Sequence, residues 1–263
     1  MKILQRPLLP GVDAQAALAE ARHLIGRRVE QPARRAFLQR TLTLGGLSML
    51  TGCSISDNAG VEAALTRISQ FNDKVQGLIF DPAQLAPTYP ESMITRPFPF
   101  NAYYGEDEIR QVDEAAYRLE VTGLVADKRQ WTLPELRAMQ QTDQVTRHIC
   151  VEGWSAIGKW GGVRFSDFLA RVGADTSAKF IGFKCADDYF TSIDMPTALH
   201  PQTFLALRFA DRVLPPKYGF PLRLRAPTKL GFKNPKHIQE IFVSNTHPGG
   251  YWEDQGYNWF SGS

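Results

Sequence analysis

Cysteine is scarce in this chain, with three in 263 residues, at positions 53, 150 and 185. No two stand as C-x-x-C, no C-x-x-C-H haem-attachment run occurs, and there is no cysteine array for an iron–sulfur cluster. A G-x-x-x-x-G-K-[ST] phosphate loop, a G-x-G-x-x-G turn after a strand and an H-x-x-x-H pair are also missing, which excludes the commonest nucleotide and zinc motifs. The five histidines, at 23, 148, 200, 237 and 247, are scattered. Internal repeats and low-complexity tracts are absent. Excess charge is lacking too. The net is +3, but eight of the 30 basic and three of the 27 acidic residues lie in 1–53, leaving 22 against 24, a net of −2, in the remainder. No basic patch points to nucleic acid.

The N-terminus carries a signal of its own. Arg34-Arg35-Ala36-Phe37-Leu38 is a twin-arginine pattern, and an apolar run follows over 41–52. That run is shorter than the roughly 20 residues a bilayer span requires, and Gly45, Gly46 and Gly52 disfavour a buried helix there. It reads as the apolar region of an export signal to the periplasm. Leu50-Thr51-Gly52-Cys53 has two readings: a lipobox that would make Cys53 a lipid anchor, or a site for ordinary signal peptidase. After such a cut only Cys150 and Cys185 remain, which an oxidising compartment could join as a disulfide. About 210 residues can bury one sizeable core.

Beyond residue 53 the pattern predicts an amphipathic helix over 61–77, with Leu65, Ile68, Phe71 and Val75 on one stripe. Pro82, Pro87, Pro90, Pro97 and Pro99 then prescribe an extended arm over 81–100. Tyr117, Leu119 and Val121 alternate as a strand ending at Gly123. Thr132-Leu133-Pro134-Glu135 is a capping box that starts a short helix. A strand over 144–151 would deliver Cys150, with His148 two residues away on the same face. A helix over 166–172 stops at Gly173, and further strands are expected at 179–185, 204–209, 222–225 and 238–244. Many short strands with few short helices make this an α+β fold with a mixed sheet. The expected organisation is a targeting segment over 1–53, a helix and arm over 54–94, and a single domain over 95–263.

Chemistry concentrates at Arg147-His148-Ile149-Cys150-Val151-Glu152-Gly153-Trp154-Ser155-Ala156-Ile157-Gly158-Lys159-Trp160. A thiolate is stabilised by cations and is a soft metal ligand. An inert core thiol, or a nucleophile with His148 as its base, would also use these residue types.

Residues 146–165 resemble the cysteine-bearing signature of the sulfite oxidase superfamily of molybdopterin oxidoreductases. Asp194-Met195-Pro196-Thr197-Ala198-Leu199-His200-Pro201-Gln202 resembles a second block of that group. Gly219-Phe220-Pro221-Leu222-Arg223-Leu224, leading into Lys229-Leu230-Gly231-Phe232-Lys233-Asn234-Pro235-Lys236, resembles a third. With the tail over 250–260 the likeness covers roughly 95–263. Within the superfamily the motifs are most similar to catalytic subunits of the periplasmic methionine sulfoxide reductase type.

The resemblance implies a sulfite-oxidase-type fold, a molybdenum–molybdopterin cofactor and Cys150 as the metal ligand, which leaves Cys150 and Cys185 as two unpaired thiols. It implies cofactor contacts from Asn101, Tyr104, Gly105, Arg223, Asn234, Pro235 and Lys236, the Arg fork suiting a phosphate. Cys185 stands where those reductases carry threonine, and Tyr218 where they carry asparagine. Both positions are kept as cofactor contacts, with altered hydrogen bonding. His148 is assigned a catalytic place beside Cys150. Arg147 and Lys159 are further candidates near the metal. Arg147 is expected instead to pair with a surface acid, and His200 has a choice between pocket wall and structural hydrogen bond.

The implied reaction is two-electron oxygen-atom transfer. Sulfite-oxidising enzymes gather arginines around a dianion, whereas Val151-Glu152-Gly153-Trp154 is acidic and aromatic, favouring reduction of an S- or N-oxide. Sulfite dehydrogenation is the alternative, and a non-catalytic lipoprotein of this fold that binds a ligand or partner is another. With no haem or cluster motif, electrons are expected from a separate haem-containing partner. The absence of the additional sandwich domain of larger relatives suggests a monomer. The aromatic tail at Tyr251-Trp252 and Tyr257-Asn258-Trp259-Phe260 is expected to pack over the domain.

Overall fold

The computed structural model describes residues 59–263. The twin-arginine pattern, the apolar run and Cys53 lie outside the described residues. The chain divides into Met1–Ala64 and Leu65–Ser263, and the second unit holds the arm, the sheets and the site. Helix α1 runs over Ala59–Ile79, close to the expected span. Its apolar stripe, however, does not face the core. Ile68, Phe71 and Val75 are exposed, and the docked side carries Ser69, Asp73 and Gln76. The arm beyond it is extended as its prolines require. It is laced down by Tyr89 N–H donating to the Val145 carbonyl at 3.0 Å and by Thr95 N–H donating to that of Ile157 at 2.9 Å.

Among the described residues ten strands form two five-stranded sheets. They are β1 (Leu119–Gly123), β2 (Gln130–Trp131), β3 (Gln141–Ile149), β4 (Ser155–Arg164), β5 (Phe180–Cys185), β6 (Phe190–Asp194), β7 (Phe204–Phe209), β8 (Arg212–Val213), β9 (Arg223–Arg225) and β10 (Ile238–Ser244). The first sheet has order β2-β1-β10-β5-β6, mixed because β1 pairs parallel with β10. The second has order β3-β4-β7-β8, with β9 also on β7, and is antiparallel throughout. Short helices α2 (Leu133–Ala138), α3 (Phe165–Arg171) and α4 (Met195–Leu199) connect them. The capping box is formed: Thr132 N–H donates to Glu135 Oε2 at 2.8 Å, and Glu135 N–H donates to Thr132 Oγ1.

The main core joins both sheets, with Leu119, Val121, Ile181, Phe183 and Ile241 from the first and Val163, Leu205 and Leu224 from the second. This is the expected α+β architecture. Strand β4 was not expected, because Gly158, Gly161 and Gly162 lower strand propensity. The backbone approach explains one of them. A Cβ at Gly162 would come within 1.9 Å of the Leu205 carbonyl oxygen, at a register shift between β4 and β7. A smaller aromatic cluster of Phe98, Trp160, Phe209 and Tyr218 fills the space beside the second sheet.

Candidate functional site

Strand β3 ends one residue before Cys150, so the thiol sits in the tight connection to β4 rather than on the strand. Cys150 N–H donates to the Trp154 carbonyl at 2.9 Å, and Gly153 N–H donates back to that of Cys150 at 3.2 Å. Strand alternation buries Thr146, His148 and Cys150 on one side and exposes Arg147 on the other. Asn101 Nδ2 donates to Cys150 Sγ at 3.4 Å, and Glu152 Oε2 lies 3.6 Å from it, held by Trp154 Nε1 at 2.9 Å. Burial pushes the Cys150 thiol up, and the charge of Glu152 adds to this. A lone nucleophilic thiolate is therefore disfavoured here, and bound metal would reverse that balance.

Behind the thiol lies a cluster of cations. Arg223 and Arg225 alternate on β9 and both are fully buried. Each guanidinium lies over the Trp160 ring, at 4.8 and 4.9 Å from its centroid. Arg225 Nη1 donates to His148 Nδ1 at 2.8 Å and to Asn234 Oδ1 at 2.9 Å. Because a guanidinium only donates, His148 Nδ1 accepts and its proton sits on Nε2. Burial, then the charges of Arg225, Arg223 and Lys236, hold His148 well below the usual imidazole range. It is thus a neutral ring that accepts from Arg225, not a base paired to Cys150. Gly231 makes room for it, since a Cβ there would lie 2.7 Å from His148 Nε2.

Arg223 donates from Nη1 to the Tyr218 carbonyl at 3.1 Å, and burial pushes its guanidinium down to about 9. Lys236 is buried over the rings of Phe100 and Tyr104, and burial, with the charge of Arg223, lowers it to about 7. Among the described residues none of these three cations has an ion-pair partner, and Arg223 Nε and Nη2, Arg225 Nε and His148 Nε2 find no acceptor in the protein.

A cleft partly open to solvent lies beside the thiol. Of the residues expected to contact a cofactor, Asn101, Tyr104, Cys150, Asn234, Pro235 and Lys236 line it. Arg223 is not part of the lining, although its charge acts on Lys236. The Asn234 amide is spent on the loop itself, accepting from Ala226 N–H at 2.8 Å and donating to the Leu230 carbonyl at 3.0 Å. Three further expected contacts also fall outside the lining. Gly105 is exposed and donates its N–H to Glu108. Cys185 belongs to the main core, and Tyr218 closes the aromatic cluster with its hydroxyl on the Phe98 carbonyl at 2.7 Å. Both cysteines are unpaired.

The secondary candidates resolve differently. Lys159 pairs with Glu91 at 2.6 Å and Asp211 at 2.9 Å, away from the thiol. Arg147 packs over the Tyr89 ring rather than against an acid. His200 holds the arm through the Gln84 carbonyl at 3.0 Å. Sequence reasoning missed Arg225, although two-residue alternation from Arg223 placed it on the same face. It also missed Asp187, whose carboxylate accepts from the Tyr104 hydroxyl at 2.9 Å and whose carbonyl accepts from Tyr103. The tail packs as expected and adds a wall: Trp252 lines the cavity, and Tyr251 lies 4.7 Å from Tyr103.

Molybdopterin fits this donor set. The orphaned guanidinium donors and uncompensated cations suit its phosphate, and Cys150, at the edge of the cleft, its metal. The matching family and the sequence relatives agree. Residues 106–252 match the oxidoreductase molybdopterin binding domain. Over 258 residues the chain is 67% identical to a putative protein-methionine-sulfoxide reductase subunit, YedZ1, of Azospira oryzae, covering 98% of each. It is 33% identical over 144 residues to the protein-methionine-sulfoxide reductase catalytic subunit MsrP of Xanthomonas axonopodis pv. citri, covering 48% of this chain and 45% of that one. Among solved structures it is similar to the sulfane dehydrogenase SoxCD from Paracoccus pantotrophus, with TM-score 0.49 and 20% identity, covering 52% of this chain and 40% of that one. The chain belongs to the molybdopterin-binding oxidoreductase family and is a molybdopterin-dependent enzyme of the sulfite oxidase superfamily.

Proposed function

We propose that this enzyme is an exported catalytic subunit that reduces S-oxides of the methionine sulfoxide class, drawing electrons from a separate haem-containing protein. One observation carries the choice of substrate. The cavity beside Cys150 is lined by one cation, Lys236, against two carboxylates, Glu152 and Asp187, with Tyr103, Tyr189, Phe232 and Trp252 as aromatic walls. A dianion such as sulfite calls for converging arginines. A neutral sulfoxide with a thioether product suits aromatic edges. The names of the Azospira and Xanthomonas relatives support the same substrate class. Arg34-Arg35 and the run at 41–52 support export, and Cys53 supports a lipid anchor.

The net reaction adds two electrons and two protons to the sulfoxide, giving a thioether and water. When bound, the cofactor supplies a metal able to change oxidation state by two. The chain's own residues do the rest. Cys150 holds the metal, and Asn101 donates to its sulfur. Arg223, Arg225 and Lys236 bind the phosphate. His148, fixed by Arg225 at Nδ1, keeps its Nε2–H buried against Gly231 and positions that loop. Glu152, held by Trp154, is the carboxyl nearest the sulfur and is placed to give a proton to the departing oxygen.

Protein purified from a molybdenum-replete host is expected to bind the metal stoichiometrically and to lose it in Cys150→Ser. With an artificial electron donor it should reduce methionine sulfoxide and oxidise sulfite poorly. Fast sulfite oxidation without sulfoxide reduction would overturn the reading.

A further inference from the structure

Helix α1 turns its polar side to the body of the protein. Asp73 Oδ1 accepts from the Phe260 backbone N–H at 2.6 Å, and Gln76 Oε1 accepts from that of Gly262 at 3.3 Å. The opposite side is apolar and open to solvent: Ile68 is 56% exposed, Phe71 64%, Val75 39%, Leu78 86% and Ile79 74%. At 3.6 residues per turn these five fall within an arc of about 100°. Ile79 also shares a groove with Leu85, itself 58% exposed, so the apolar surface continues onto the arm. A helix that could have buried this stripe in its own domain presents it outward instead.

Charge is segregated in the same sense. Arg67 and Lys74 fall together along one flank of the stripe, whereas Asp73 faces the body. An apolar stripe flanked by cations suits an anionic lipid surface, with the rings and aliphatic chains entering the acyl boundary and the basic groups reaching headgroup phosphates. Chain order agrees. Ala59, where the helix begins, follows Cys53 and the apolar run at 41–52, and the six steps between Cys53 and Ala59 reach at most about 20 Å. A second copy docked antiparallel on this stripe would instead bring like basic flanks together. We propose that α1 lies flat on an anionic membrane surface through Ile68, Phe71, Val75, Leu78 and Ile79, with Arg67 and Lys74 on the headgroups. This contact does not depend on which substrate the cavity takes.

The test is vesicle flotation of the full chain carrying Cys53→Ala, so that no acyl chain contributes. Phosphatidylglycerol vesicles are compared with pure phosphatidylcholine ones. Phe71→Ser with Leu78→Ser should weaken binding to anionic vesicles by about tenfold or more. Arg67→Gln with Lys74→Gln should weaken it on anionic vesicles alone, and added salt should do the same to the parent chain. All these positions are solvent-facing, so the melting temperature and bound molybdenum should not change. Equal binding by the parent and both double variants would overturn the proposal. So would loss, in the apolar variant, of a dimer or a protein complex seen by sedimentation with vesicle binding unaltered.

Discussion

Arg223 carries a positive charge that the protein does not neutralise. It makes one hydrogen bond, to the Tyr218 carbonyl, and leaves Nε and Nη2 without acceptors in a fully buried place. Burying such a charge without a partner destabilises the fold unless an anion completes it. Arg223→Met should therefore leave the cofactor-free protein as stable as before, or more stable by about 1–3 kcal/mol. The same change should lower cofactor retention about tenfold or more. Denaturant unfolding of the cofactor-free protein, set beside the molybdenum content after dialysis, separates the two effects. A large loss of stability in the cofactor-free protein would mean that Arg223 serves the fold and not the phosphate. Arg225 is less suited to this test, because its removal also strands His148 Nδ1 and Asn234 Oδ1.

At the level of elements, the loop from Gly231 to Lys236 shows how closely backbone and site are fitted. Gly231→Ala would press a methyl group against His148 Nε2, and the Ile149 carbonyl at 3.3 Å blocks the retreat. The expected outcome is a loss of about 1–3 kcal/mol by overpacking together with reduced metal content, read by melting temperature and elemental analysis. Much around this loop was legible in the sequence. The capping box at Thr132, the strands β7 and β10 and the delivery of Cys150 by β3 follow from local chemistry and alternation. Other features depended on distant partners. The glycines of β4 are explained by the Leu205 backbone, which no local window contains. Amphipathicity shows where the stripe of α1 is, but not that Asp73 and Gln76 would hold the opposite side to the tail. Motif position placed Gly105, Cys185 and Tyr218 near the cofactor, while only packing reveals that core and loop claim them.

For the molecule as a whole, Lys229 ties separate parts together. It lies beyond β9, is 2% exposed, donates from Nζ to the Phe260 carbonyl at 2.9 Å and sits 3.0 Å from the centre of the Phe260 ring. The Phe260 N–H in turn donates to Asp73 of α1. Asp194 Oδ1 stands 3.8 Å away and favours the charged form, but burial opposes it more strongly and pushes the Lys229 ammonium down to about 7. An unfolded chain releases this proton near its ordinary value of about 10.5. Between pH 7 and 10.5 the unfolded state thus binds a proton that the folded state lacks, so stability rises as pH rises through that window. Below pH 7 the full penalty of charging a buried amine applies, and above 10.5 it vanishes. Lys229→Met removes this contribution and should flatten the stability–pH curve by up to about 1.4 kcal/mol per pH unit across the window. The comparison requires denaturant melts of parent and variant at the same cofactor loading, since Lys236 and Arg223 also titrate in that range and respond to a bound phosphate. Identical slopes for parent and variant would show that Lys229 keeps its proton in the fold, with the Asp194 charge outweighing burial.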